Sequence, residues 1–285
     1  MRKTLHNSCN FMKRAESHKT AVVLWLGAFL CLASLRAQTP LQIMRLAPDG
    51  PDGKGLSEPL AKVSLYSGEK AFSYRYYQSP NSKESAGIWA SKSAHSPMGK
   101  TKNTEVFYLT AGRVTLLDKS GREETFKAGD AVLLPRGLEF SWKRSEDVKE
   151  IFAVFDFDPV AKDSATGSTD APTTFVKLDP NVALTTPALG GHEYSYYSSP
   201  SHASVGVWET NGVESKKFGV AKHTELMIII SGAVTLSSPD GTSQTFKAGE
   251  VALEPRGAQS KWSSGKIRKF YVTFDYEPAS ESARN

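Results

Sequence analysis

The sequence says nearly the same thing twice. Gly87, Ile88, Trp89, Thr104, Glu105 and Gly112 recur as Gly206, Val207, Trp208, Thr224, Glu225 and Gly232, and the run Thr125–Asp130 recurs as Thr245–Glu250. Pro135, Arg136, Gly137 and Trp142 return as Pro255, Arg256, Gly257 and Trp262, all at an offset of 119 or 120. Upstream, Tyr74, Tyr76, Tyr77 and Pro80 pair with Tyr194, Tyr196, Tyr197 and Pro200 in the same way. A period this long far exceeds the roughly 20–50 residues of solenoid units. Each copy therefore has to be a domain with its own apolar core, for which about a hundred residues suffice.

Within each copy the apolar pattern is that of strands. Val106–Thr110, Arg113–Leu117 and Ala131–Leu134 are short runs of β-branched and large apolar residues, repeated as Leu226–Ile230, Ala233–Leu236 and Val251–Leu253. Gly-containing turns separate them, with Asp240-Gly241 and the matching Lys119–Gly121 placed as hairpin turns, and no long helical period intervenes. Many short strands at regular spacing predict an all-β sandwich or barrel. Between the copies the small, polar run Ala161–Pro172 has the composition of a flexible linker. The boundaries read this way are a lead-in over 38–60, a first domain over 61–159, a linker over 160–174 and a second domain over 175–280.

The first 37 residues have a different character. Basic residues up to Lys19 precede an apolar run from Ala21 to Ala33, then Ser34, Leu35, Arg36 and Ala37, which is the layout of a secretory signal cleaved after Ala37. A stable membrane anchor would need about 20 apolar residues, more than this run offers. Cys31 lacks the small residues that a lipoprotein signal places before its cysteine, and Met12 is an alternative start to Met1. The expected location is the periplasm or the extracellular medium. That segment holds six of the 35 Lys and Arg and one of the 30 Asp and Glu, so the remainder carries 29 of each and is formally neutral. The whole chain's +5 is thus a property of its leader, and no basic patch for nucleic acid remains. Both cysteines, Cys9 and Cys31, leave with the leader, which predicts a mature protein without disulfides, thiol chemistry or cysteine-held metal.

Glu105 followed by Gly112, then Gly129, Pro135 and Gly137, resembles the two-part cupin signature, and Glu225, Gly232, Gly249, Pro255 and Gly257 repeat it. The frame of Trp208, Glu209, Thr224, Glu225, Phe246, Pro255, Trp262 and Lys269 resembles more narrowly the (S)-ureidoglycine aminohydrolase-type cupins, a subfamily that includes ethanolamine-utilisation-like cupins. The resemblance implies a bicupin: tandem double-stranded β-helix barrels of the RmlC-like jelly-roll kind. It also implies a metal site that this chain lacks. The positions of the two histidines before the glutamate hold Met98 and Lys100, or Phe218 and Val220, and that of the third histidine holds Phe140 or Ser260. The expectation is therefore no cofactor, with a divalent transition metal as the weaker alternative.

On a strand over Lys222–Ile230, His223 and Glu225 project to one face, which in a cupin is the barrel interior. Only the second copy pairs an imidazole with a carboxylate there, a combination capable of acid–base work. It also has the small Ser260 where the first copy has Phe140, and Lys269 where the first has Glu150. The candidate ligand-binding residues are accordingly His223, Glu225, Ser260, Lys269, Trp208 and Trp262, in the second barrel. Two plainer readings stay open: His223 at the strand entrance in solvent with Glu225 paired to Lys269, and Trp89, Trp142, Trp208 and Trp262 as core rather than stacking platforms. Arg136 and Arg256 are expected on exposed turns, and the tyrosine runs at an inter-domain or subunit surface.

Three classes of function fit: an exported bicupin holding a small molecule in a metal-free barrel; an enzyme, whether hydrolase, lyase or isomerase, acting on a small nitrogenous or carbonyl compound; and a structural or assembly protein using exposed strand edges, for which a homodimer is a natural form.

Overall fold

A computed structural model describes residues 41–276 apart from 54, 57–61, 65–69, 81, 93, 145, 157–172, 189 and 200–202. The leader, both cysteines, the heart of the linker and His202 lie outside the described residues. Among those described, every regular element is a strand. Each copy forms a seven-stranded sheet and a smaller five-stranded sheet, all pairings antiparallel.

Alternation explains the layering. In the strand Thr104–Ala111, Phe107 and Leu109 face the inside of the first barrel with Leu116, Phe126 and Val132, while Val106 turns the other way. In the strand Val148–Phe155, Glu150 and Phe152 line the interior, while Ile151, Ala153 and Phe155 turn outward. Ile267–Phe274 repeats this pattern in the second barrel, sending Phe270, Val272 and Phe274 outward. Those outward faces form the largest apolar cluster among the described residues, because the two seven-stranded sheets cover each other and bury both.

Reciprocal contacts knit the two barrels. Phe155 and Phe274 stack with centroids 6.2 Å apart and planes 11° from parallel. Tyr77 donates to the Asp275 carboxylate, and Tyr197 donates to Asp156 at 2.5 Å. Burial and these carboxylates push both phenols upward. The tyrosine runs thus do meet the other domain. Arg256, expected on an exposed turn, is instead half-buried with its Nε 3.2 Å from Asp275, because that turn abuts the carboxylate closing the last strand.

The chain also exchanges strands. Met44–Arg45, in the lead-in before the first barrel, pairs with Ala252–Leu253 of the second. Val176–Leu178 falls within the second domain by sequence, yet it pairs with Ala131–Leu133 of the first. Arg45 follows its strand across, reaching Glu250 at 2.6 Å and lying 4.5 Å over the Phe246 ring.

The repeated glycines have a steric cause. Gly112 and Gly232 have φ of 80° and 78°, and a Cβ there would lie 2.2 Å from the Asp147 carbonyl oxygen or 2.1 Å from that of Lys266. Gly129, Gly137, Gly249 and Gly257 also take positive φ, as the turn signature requires.

Candidate functional site

The second barrel brings most of the expected residues together. Lys269 extends inward from the last strand and donates to Glu225 Oε1 at 2.6 Å. Its ammonium lies 5.0 Å from the centre of the Trp208 ring and 4.4 Å from that of Trp262. Trp262 donates its indole N–H to Ser260 Oγ at 3.2 Å, and Ser260 is buried. His223 precedes the strand Thr224–Ser231 by one residue, so it stands at the entrance, its ring 4.7 Å from that of Tyr276. Burial lowers the His223 pKa and so does Lys269, against the pull of Glu225.

Two participants escaped the sequence reading. Glu254, cross-strand from Glu225, is buried, and desolvation raises its pKa against hydrogen bonds from Ser260 and Trp262. Tyr271 donates to Glu193 at 3.3 Å, and its hydroxyl leans against Gly206, where a Cβ would come within 2.5 Å of it. The polar groups of this interior mostly satisfy one another.

The first barrel differs in a way that local sequence did not reveal. Its interior holds a cavity of about 380 Å³, with walls that include Trp89, Phe107, Leu116, Phe140 and Trp142 and with Ser73 and Arg75 at its rim. Facing this space are Glu105 and Glu150 from neighbouring strands, and Arg144. The Arg144 guanidinium is buried 3.6 Å over Trp142 and 4.4 Å from Trp89. Among the described residues neither glutamate has a hydrogen-bond or ion-pair partner. Desolvation raises Glu105 to about 7. It raises Glu150 to about 8, with the Glu105 charge adding to the rise and Arg144 opposing it. The two carboxyls thus titrate near neutrality and influence each other's charge.

Space and polar groups thus coincide in the first barrel, where the sequence did not lead us to expect them. Phe140 does not fill the first barrel but forms part of its wall. The second barrel carries longer or additional side chains at three matched interior positions, Lys269 for Glu150, Tyr271 for Phe152 and Glu254 for Leu134. Apart from Arg75 at the first rim and Glu193 beside Tyr271 in the second, both barrels hold two carboxyls, one cation and two indoles. The cation comes from different strands, Arg144 on Glu139–Arg144 in one and Lys269 on Ile267–Phe274 in the other. Arg144 was legible as an inward residue, since it alternates with Phe140 and Trp142. An arginine at a strand end, however, is ordinarily exposed. A second depression of about 730 Å³ is lined by Pro187, Ala188, Gly190–His192 and Glu209–Gly212.

A transition metal does not fit these donors. Among the described residues no three His, Cys, Asp or Glu side chains converge as ligands. Met98, Phe218 and Val220, at the cupin histidine positions, are exposed. What remains in each interior is carboxylate and cation beside indole, which suits hydrogen bonding and ion pairing rather than coordination.

Comparison with known proteins agrees with this architecture. Residues 78–152 match the family model of the EutQ-like cupin domain, which spans most of the first barrel. No functionally curated protein matches the sequence. Among solved structures the chain is similar to a protein of unknown function of the DUF861 family from Pseudomonas syringae pv. tomato, with 22% identity and a TM-score of 0.63 over 82% of this chain and 100% of that one. It is similar also to protein Ylba from E. coli, of DUF861, with 12% identity and a TM-score of 0.54 over 87% and 97% of the two chains. A cupin 2 conserved barrel domain protein from Leptotrichia buccalis gives 13% identity and a TM-score of 0.53 over 75% and 96%. At these identities the likeness establishes fold: the chain is all-β and carries cupin barrels in tandem.

Proposed function

We propose that this protein is an exported bicupin that binds a small molecule in the cavity of its first barrel, the second barrel serving chiefly as its covered structural partner. The observation that carries this reading is the cavity itself: a partly open, largely apolar space of about 380 Å³ lined by two carboxyls that have no hydrogen-bond or ion-pair partner among the described residues. Small-molecule sites are of this kind, apolar walls with a few polar groups that fix orientation, and cavities of about 300–1,000 Å³ are usual for them. The matched interior of the second barrel has its carboxylate committed to Lys269.

A thermal-shift screen of small polar organic compounds followed by calorimetry tests this. For any ligand found, Glu105→Ala should weaken binding by about 1–2 kcal/mol, the cost of losing a buried polar partner. Glu225→Ala should leave affinity near its original value. Loss confined to Glu225→Ala would return the site to the second barrel.

The carboxyl pair also supports an enzymatic reading. Two carboxyls that titrate near neutrality can give and take protons, so proton transfer on a small nitrogenous or carbonyl compound is within their chemistry. Turnover abolished by both Glu105→Gln and Glu150→Gln, with ligand binding retained, would establish it.

Export is supported by the charged, apolar and small-residue succession of residues 1–37. N-terminal sequencing of the protein from its native host should start near Gln38. A chain retaining residues 1–37 in the membrane fraction would refute export as a free protein.

A further inference from the structure

We propose that the first-barrel cavity takes a small organic monocation, an amine in its ammonium form, with its charged head between Glu105 and Glu150 and its hydrocarbon part against Trp89, Phe107 and Phe140. This rests on the reading of that cavity as the binding site and adds the class of ligand.

The duplication supplies an internal comparison. In the second barrel a primary ammonium already sits on the glutamate that matches Glu105: Lys269 Nζ lies 2.6 Å from Glu225 Oε1, flanked by Trp208 and Trp262. The fold thus holds an alkylammonium on this carboxylate between these indoles. In the first barrel the residue matching Lys269 is Glu150, so the tethered ammonium is gone and a second carboxylate stands in its place.

Charge counting then selects the ligand. Glu105 and Glu150 face one internal cation, Arg144, which is held over Trp89 and Trp142. One carboxylate is left over. The second barrel also has a carboxyl beyond its ion pair, Glu254, but Ser260 and Trp262 hydrogen-bond to it, whereas the described residues give Glu105 and Glu150 no such donor. Arg75 is the remaining charged group on the lining. It sits on the exposed rim, donating to Gln78, where solvent screens it. An ionised carboxylate in an apolar cavity is costly until a counter-charge arrives, so one added cation relieves the site. A neutral ligand leaves the charge uncompensated, and an anion adds to it.

Titration calorimetry of the full chain at about pH 8.5, with probes of nearly equal shape and different charge, tests the inference. Cyclohexylammonium should bind about ten-fold or more tightly than cyclohexanol, and cyclohexanecarboxylate should not bind detectably. Glu150→Lys installs the second barrel's arrangement and should abolish ammonium binding in a folded protein. Should that variant fail to fold, Glu150→Gln keeps the test open, with an expected loss of about five-fold or more. Cyclohexanol or the carboxylate binding as tightly as the ammonium, with sensitivity to Glu105→Ala, would keep the cavity as the site and overturn its cation preference. Ammonium binding unchanged in both Glu105→Ala and Glu150→Gln would place it elsewhere and overturn both readings. Failure of all three probes would overturn the inference alone, since the broader screen tests the cavity by itself.

Discussion

Replacing Lys269 with alanine should lower stability by about 3–5 kcal/mol, because it strands a buried carboxylate and opens the centre of the second barrel. The pair is well shielded: the Lys269 side chain is 6% exposed and that of Glu225 14%, at 2.6 Å. Its ammonium lies against both the Trp208 and Trp262 rings, so the variant loses cation–π contact and buried side-chain volume along with the charge. Chemical denaturation monitored by tryptophan fluorescence measures the loss directly. The double variant Glu225→Gln, Lys269→Met removes both charges while keeping volume, and should recover most of the stability. A double variant as unstable as Lys269→Ala would show that packing alone, and not the stranded charge, sets the cost.

The second large effect is a dependence on pH that originates in the first barrel. Glu105 and Glu150 are raised from the ordinary glutamate value of 4.5 to about 7 and about 8. A group whose pKa is higher folded than unfolded holds its proton more tightly in the folded chain. Its contribution to stability is therefore fully present below the unfolded pKa and is lost as pH rises through the folded one. The protein should lose stability on this account between about pH 5 and 8.5. Glu150→Gln removes the second charge and should raise stability by about 2–3 kcal/mol at about pH 8.5 while changing little at about pH 4.5, after allowance for water reaching the cavity. For a domain pair of this size that is about 4–12 °C in Tm at the higher pH. Parallel pH profiles for the variant and the original protein would refute the buried pair as their cause. His223 contributes with opposite sign, since its lowered pKa favours the folded state only when it is neutral, so the difference between the two proteins is the informative quantity.

A screen that finds a cationic ligand would join these effects. The added charge would occupy the place that a proton holds near neutrality, and its binding would cancel the destabilisation that Glu150→Gln removes by mutation.

The fold was legible in the sequence to an unusual degree. Two barrels in tandem followed from the offset of 119 or 120, strands from the short β-branched runs, and an inward Glu105 and Glu225 from alternation within their strands. Gly112 and Gly232 marked turns that admit no Cβ. These are local properties: side-chain direction along a strand and backbone conformation at a turn depend on a few neighbouring residues. The Glu225–Lys269 pair was also within reach, as one of two readings, because matched positions of the repeat set them on facing strands.

Tertiary structure alone revealed the room inside the first barrel and how its charges balance. Glu150 faces the same cavity as Glu105 only because the strand Val148–Phe155 pairs with Thr104–Ala111 across some forty intervening residues. Arg144 reaches the same space from a third strand, on the smaller sheet. The raised carboxyls are a sum over all three strands and the aromatic walls between them, and no window of sequence contains that sum. The exchange of Met44–Arg45 and Val176–Leu178 between barrels was hidden for the same reason. A strand's residues set which face it buries, but its partner is set by which free edge lies within reach once both sheets have formed.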